Sequence, residues 1–174
     1  MKRKYIIALA LCMVSLCFFT SCSLFSKSRE TPTPTPSVAP KISETQEKIT
    51  VLRIYSLNSV TLKKEAVQAI VYGDKDITPA LIVSKVIAAM EDESFFIEVN
   101  DTSTEGDNVV VDFKKDAPPV NCTDKAVENA ILDAIGQSLL DNLDTYLGII
   151  YRIDGEAYVT ENNSFGLNEV YLSR

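Results

Sequence analysis

The sequence predicts an α+β domain: two helices packed on one face of a mixed, mostly antiparallel β-sheet, preceded by a helical signal segment and a disordered linker. Three observations predict it. β-Branched residues alternate with others from Ile49 onward. Two stretches, opened by Thr78-Pro79 and Thr123-Asp124, place their apolar residues at the helical period. Short strand-like runs, separated by Gly, Asn and Asp turns, fall between and after them. Elements in this mixed order bury their apolar faces most simply as helices laid against one side of a sheet.

The first strand is expected at 49–57, where Ile49, Val51, Arg53 and Tyr55 alternate with Thr50, Leu52 and Ile54, and Asn58-Ser59 reads as a turn. Val60 to Tyr72 fits either period; Val71, Tyr72 and the Gly73 turn tilt it to a strand. Thr78 supplies a capping hydroxyl and Pro79 is tolerated at the first helical position. Ile82, Val83, Val86, Ile87 and Met90 then share one face, and the helix should end near Glu91-Asp92-Glu93. Three acids there oppose the helix dipole, so this end either frays or marks a partner-facing surface.

Strands at 95–101 and 108–114 follow, joined across Thr104-Glu105-Gly106-Asp107. In the second, Val109, Val111 and Phe113 point one way and Val110, Asp112 and Lys114 the other. Residues 116–121, with Pro118-Pro119, form a loop. The second helix runs from Thr123-Asp124 to about Asn142, buried along Val127, Ala130, Ile131, Ala134, Ile135, Ser138 and Leu139. Gly136 inside it costs about 1 kcal/mol against Ala, which suggests close packing against the sheet. A strand at 146–153 leads into an Asp154-Gly155 turn, and Tyr158-Val159 and Val170-Tyr171-Leu172 read as short final strands.

Ahead of this domain the chain changes character. Lys2, Arg3 and Lys4 precede an uncharged apolar run from Tyr5 to Phe19, the layout of a secretory signal over residues 1–21. The run is shorter than the roughly 20 residues of a comfortable permanent span. Phe19-Thr20-Ser21-Cys22 looks like a bacterial lipobox, in which Cys22 is acylated, with palmitate for example, and becomes the new N-terminus. Phe19 stands where Leu is usual. Residues 22–48 read as a Thr/Pro-rich linker carrying Thr31-Pro32-Thr33-Pro34-Thr35-Pro36. Extended polyproline geometry would give it a reach of roughly 80 Å.

Removing residues 1–21 takes three of 17 Lys and Arg and none of 24 Asp and Glu, leaving 14 against 24 and a charge of −10. From Ile49 onward ten basic residues face 21 acidic ones, or −11. Such a domain is repelled by phosphate backbones, so no nucleic acid partner is expected, and it would stand off an anionic membrane. After Cys12 and Cys17 leave with the signal and Cys22 takes lipid, Cys122 alone remains, and no intramolecular disulfide is expected. The chain has no histidine to activate that thiol, serve as a general base or ligate a metal. Cys122 therefore reads as a plain helix-flanking residue.

Asp101, Ser103, Glu105, Gly106 and Asp112 imitate the spacing of an EF-hand loop, but strands rather than helices flank them, so a hairpin turn is the expectation. Asp112 and Asp154 likewise suit structural roles. No catalytic residue, cofactor or metal is expected.

Val111-Asp112-Phe113, Glu128, Ser138-Leu139 after an apolar helix and Ile153-Asp154-Gly155 together resemble the GerMN ("Germane") domain of sporulation and spore-germination lipoproteins. The likeness extends over most of 49–165, within a domain drawn at 49–174. It departs at the helix start: Gly-Ser close before the glutamate is usual, and here Cys122-Thr123 stand farther upstream of Glu128. The resemblance implies a lipid-anchored, extracytoplasmic module of a Gram-positive bacterium. It implies no enzymatic activity and brings no catalytic residues.

The reading that follows is a binding or assembly lipoprotein docking on envelope or sporulation proteins, with homo-oligomers possible. The alternative is a binder of small ligands or cell-wall glycan, contacted by Glu91 to Glu93 or by exposed Tyr55, Tyr72, Tyr146, Tyr151 and Tyr158. An enzyme ranks third, because nothing pairs the carboxylates.

Overall fold

The computed structural model describes residues 48–122 and 124–174. The signal over 1–21, acylation of Cys22 and the linker up to residue 47 lie outside the described residues. The elements are β1 (Ile49–Leu57), β2 (Lys64–Tyr72), α1 (Pro79–Asp92), β3 (Val99–Glu105), β4 (Asn108–Phe113), α2 (Lys125–Asn142), β5 (Gly148–Ile153), β6 (Glu156–Ala157) and β7 (Val170–Ser173). The α+β class and the two helices are as the sequence predicts.

The expected single sheet is divided in two. β1 and β2 form an antiparallel hairpin; β3, β4 and β5 form a second sheet in that order, with β6 and β7 both pairing antiparallel with β5. The division has a local cause. Along the edge of β1 that faces away from β2, the Arg53 N–H donates to Asn142 Oδ1 (3.3 Å), and the Arg53 carbonyl accepts from Asn142 Nδ2 (2.7 Å). Two residues on, the Tyr55 N–H donates to Ser138 Oγ at 2.8 Å. Side chains of α2 thus occupy positions that a further strand would need.

The opposite side of α2 meets the second sheet. A Cβ on Gly136 would lie 3.0 Å from Leu172 Cδ2 and 3.1 Å from the Tyr151 hydroxyl oxygen, which confirms the close approach expected there. The Tyr151 hydroxyl donates to the Leu132 carbonyl at 2.6 Å. Helix α2 is therefore buried on two sides, and its buried set is wider than one stripe. Leu132, Leu140 and Glu128 join Ile131, Ala134, Ile135, Ser138 and Leu139, while Val127 and Ala130 are only half-buried. A helix between two apolar surfaces loses the one-sided pattern that periodicity detects.

The helix starts follow their caps. Thr78 Oγ1 accepts from the Leu81 N–H at 3.2 Å with Pro79 at the first turn. Asp124 supplies the carboxylate for α2, accepting from Ala126 N (2.7 Å) and Val127 N (3.4 Å). At the far end of α1, Glu93 neither frays nor stands free. It accepts from the Ser59 N–H (3.0 Å) and hydroxyl (2.7 Å), tying the β1–β2 loop to the helix, and these bonds lower its carboxyl pKa.

β4 and β5 run parallel, placing Val109 beside Ile149 and Val111 beside Tyr151, with α2 as the crossover. Val110 and Ile150 are buried as well as Val109, Val111 and Ile149, so both faces of these two strands carry buried apolar residues. β3 starts at Val99 rather than 95, and its ladder is interrupted by a bulge between Val99 and Asp101. The strand expected at Tyr158-Val159 is instead β6 at Glu156–Ala157, and Val159 makes only an isolated bridge to Ser164. Asp154 and Gly155 both have positive φ, 50° and 79°, the geometry a two-residue hairpin turn requires.

Candidate docking surface

Glu128 projects from the first turns of α2 and is wholly buried. Its Oε1 accepts from the Tyr158 hydroxyl (2.9 Å) and the Thr160 hydroxyl (2.8 Å); its Oε2 accepts from Asn162 Nδ2 at 2.8 Å. Asn162 Nδ2 also donates to the Cys122 carbonyl at 2.9 Å. The carboxylate thus gathers the 158–162 segment onto the start of α2, with both oxygens engaged. Burial first, then the charge of Glu128, pushes the Tyr158 hydroxyl pKa far up, so it remains a donor at any physiological pH. Glu128 serves as a structural tie. The sequence offered no local sign of this, because its three partners lie 30 or more residues downstream.

Cys122 is half-buried, and burial, with Glu128 and Asp124 adding to it, raises its thiol pKa. A thiol held protonated is a poor nucleophile, in keeping with the helix-flanking role. Asp101 and Glu105 lie on β3 and Asp112 on β4, so the EF-hand spacing is a hairpin. Glu105 is engaged by Arg152, whose two terminal nitrogens donate to its two oxygens at 2.8 Å each and lower its pKa. Asp112 accepts from the Gly155 N–H at 2.9 Å, and Asn100 Nδ2 donates to Asp154 Oδ1 at 2.9 Å; both acids hold the closing turn.

The tyrosine set proposed as a glycan platform does not exist as a surface. Tyr151 and Tyr158 are fully buried in an aromatic cluster with Phe113, Phe165 and Tyr171, because their strands line the core. Tyr55 and Tyr146 are half-buried, Tyr55 donating to Asp141 at 2.8 Å, and only Tyr72 of the five is exposed. Two roomy clefts are among those that open on the surface of the described residues. One, of about 420 Å³, lies beside Arg53, Asp141 and Arg174; the other, of about 530 Å³, lies between Lys115-Asp116 and the 153–161 segment.

The feature that periodicity missed is the outer face of the β1–β2 hairpin. The inner face buries Leu52, Ile54 and Val71. On the outer face Ile49 stands opposite Tyr72 and Val51 opposite Ile70, with 56%, 57%, 56% and 44% of their surfaces exposed. Four large apolar residues paired across two strands form one exposed patch, and such patches mark interaction sites. The hairpin also differs in charge: residues 49–72 carry Arg53, Lys63 and Lys64 against Glu65, whereas the remainder of the domain is strongly acidic. Of these cations Arg53 stands beside the patch, opposite Gln68, while Lys63 and Lys64 lie at the other end of the hairpin.

The fold is an α+β domain whose β1–β2 hairpin carries an exposed apolar patch. The chain is similar to the tandem GerMN domains of the sporulation protein GerM from Bacillus subtilis: 14% identity, TM-score 0.44, covering 79% of this chain and 49% of that one. It is also similar to a candidate lipoprotein of Clostridium perfringens: 12% identity, TM-score 0.38, covering 74% of this chain and 93% of that one. The chain spans about half the length of the tandem-domain protein. No family model and no curated protein matches it. The GerMN domain is also the family that residues 109–155 resemble.

Proposed function

We propose that this chain is a lipid-anchored, extracytoplasmic lipoprotein of a Gram-positive bacterium. Its domain docks on other proteins of the envelope, in an assembly role tied to sporulation or germination. The observation that carries the docking reading is the exposed apolar patch of Ile49, Val51, Ile70 and Tyr72 on a cation-bearing hairpin. The lipobox-like Phe19 to Cys22 and the Thr/Pro-rich stretch after it support the anchor and its reach. In this reading the polar machinery of the domain is structural: Glu128, Asp112, Asp154 and Glu105 each hold chain to chain.

Anchoring has its own test. Cells expressing the full chain and fed labelled palmitate are expected to show label on this protein and to retain it in the membrane fraction. Cys22→Ala should lose the label and yield no processed, acylated form. Equal labelling and equal membrane retention of the two forms would contradict the anchor.

A further inference from the structure

We propose that the free edge of β2 pairs antiparallel with β2 of a second copy of this chain, about a twofold axis through Gln68. The direction of the backbone groups follows from the ends of the hairpin. Gly73 N donates to Lys48 O and Asn58 N donates to Lys63 O, both at the margins of an unbroken register from Ile49↔Tyr72 to Leu57↔Lys64. In an antiparallel ladder hydrogen-bonded and non-hydrogen-bonded pairs alternate. The odd-numbered residues of β2 therefore bond to β1. Lys64, Ala66, Gln68, Ile70 and Tyr72 turn their N–H and C=O groups outward, and all five are exposed.

This edge carries charge only at its Lys64-Glu65 end and lacks the other devices that keep sheet edges apart. It runs nine residues without Pro, Gly or register shift. The outer edge of β3 is defended instead: it carries Asp101 and Glu105 and a bulge between Val99 and Asp101. The matching edge of β1 is occupied by Ser138 and Asn142. β2 is left as the long, straight edge of the hairpin, charged only at Lys64 and Glu65.

The charge pattern of β2 selects a copy of itself as the occupant. With Gln68 opposite Gln68, all nine residues pair: Lys64 faces Tyr72, Glu65 faces Val71, Ala66 faces Ile70 and Val67 faces Ala69. Each charged side chain meets a neutral one, and the central amides are mutually donor and acceptor. The two Lys64 ammonium groups fall at opposite ends, about 26 Å apart along the strand, well beyond the screening length at physiological salt. Moving the axis by one residue in either direction leaves two of the nine unpaired, and by two residues leaves four. The pairing extends the hairpin to four strands and sets the Ile70 and Tyr72 patches of the two copies on one face. It concerns the edge alone and stands whether or not Cys22 is acylated.

The test uses the full chain in mild detergent with a short bis-maleimide. Gln68→Cys is expected to give a dimer-sized cross-linked band that the unmodified sequence, with its own cysteines, does not give. Thr102→Cys, on the defended β3 edge, should not. Ile70→Pro added to Gln68→Cys removes an outward N–H without touching the β1–β2 ladder, and should abolish the band while the thermal unfolding midpoint stays near that of the parent. Should proline disturb the fold, Tyr72→Lys added to Gln68→Cys serves instead: it sets Lys64 against a lysine at both ends and should cut the yield at least tenfold. No dimer from Gln68→Cys, an equal yield from Thr102→Cys, or a yield unmoved by the second-site changes in folded protein would each overturn the proposal.

Discussion

Replacing Glu128 by alanine is expected to lower the unfolding free energy by about 3–5 kcal/mol, from lost hydrogen bonds to a buried acceptor and the volume left empty. The substitution empties the volume of the carboxylate and strands the buried Tyr158 hydroxyl, while the half-buried Thr160 hydroxyl and Asn162 amide each lose one acceptor and keep the Asn163 and Cys122 carbonyls. A stranded buried donor costs about 1–3 kcal/mol unless water reaches it. Glu128→Gln keeps the shape and one acceptor but sets an amide N–H₂ against Asn162 or the hydroxyls, so its cost should be smaller, about 1–2 kcal/mol. Urea unfolding followed by circular dichroism reads both. A loss below about 1 kcal/mol for Glu128→Ala would mean that the 158–162 segment does not depend on this residue for its place.

Tyr151→Ala is expected to cost as much, about 3–5 kcal/mol, by the same measurement. Tyr151 is fully buried on β5, its ring centroid 5.5 Å from that of Phe113, 5.1 Å from Tyr171 and 6.3 Å from Tyr158. Alanine would open a cavity under the midpoint of α2, next to Gly136, where the helix cannot settle inward without bringing Leu172 along. Tyr151→Phe keeps the ring and loses only the bond to the Leu132 carbonyl, so a cost of about 1 kcal/mol is expected. If the two variants were equally destabilised, the hydroxyl rather than the ring would be the principal tie.

The contrast between Gly136 and Glu128 shows what a sequence of this kind discloses. Gly136 was readable because a glycine within a helical stripe has a cost that only close packing offsets, and the sheet lies against it. Thr78, Asp124 and the Asp154-Gly155 turn were readable for a similar reason: caps and turns act within a few residues. The role of Glu128 was not readable, since its donors come from a segment joined to it only by the fold. The same limit hid the division of the sheet, which depends on Ser138 and Asn142 meeting β1 more than 80 residues away. The exposure of β2 was partly legible. Lys64-Glu65-Ala66-Val67-Gln68 shows no sustained apolar alternation, and a strand that buries neither face fully has none to show.

The tyrosines mark a different limit. Aromatic residues at strand positions were equally compatible with a surface platform and a core, and the choice between them rests on which strands become central. β5 does, so Tyr151 goes inside with Val111 beside it; β2 does not, so Tyr72 is left on the surface. This leaves the hairpin as the domain's principal apolar display and makes its occupancy in the cell the central question.

That question is answered most directly by labelling Tyr72→Cys with a membrane-impermeant maleimide, in intact cells and in purified full chain. Glu161→Cys, on the exposed 153–161 segment, serves as reference. In purified protein at dilution the two positions are expected to react alike. In cells both should react, which places the domain outside the membrane, but Tyr72→Cys should react at least several-fold more slowly because another protein surface covers it. Equal rates at the two positions in cells would contradict docking through the hairpin, and protection of both from the impermeant reagent would contradict an extracytoplasmic domain.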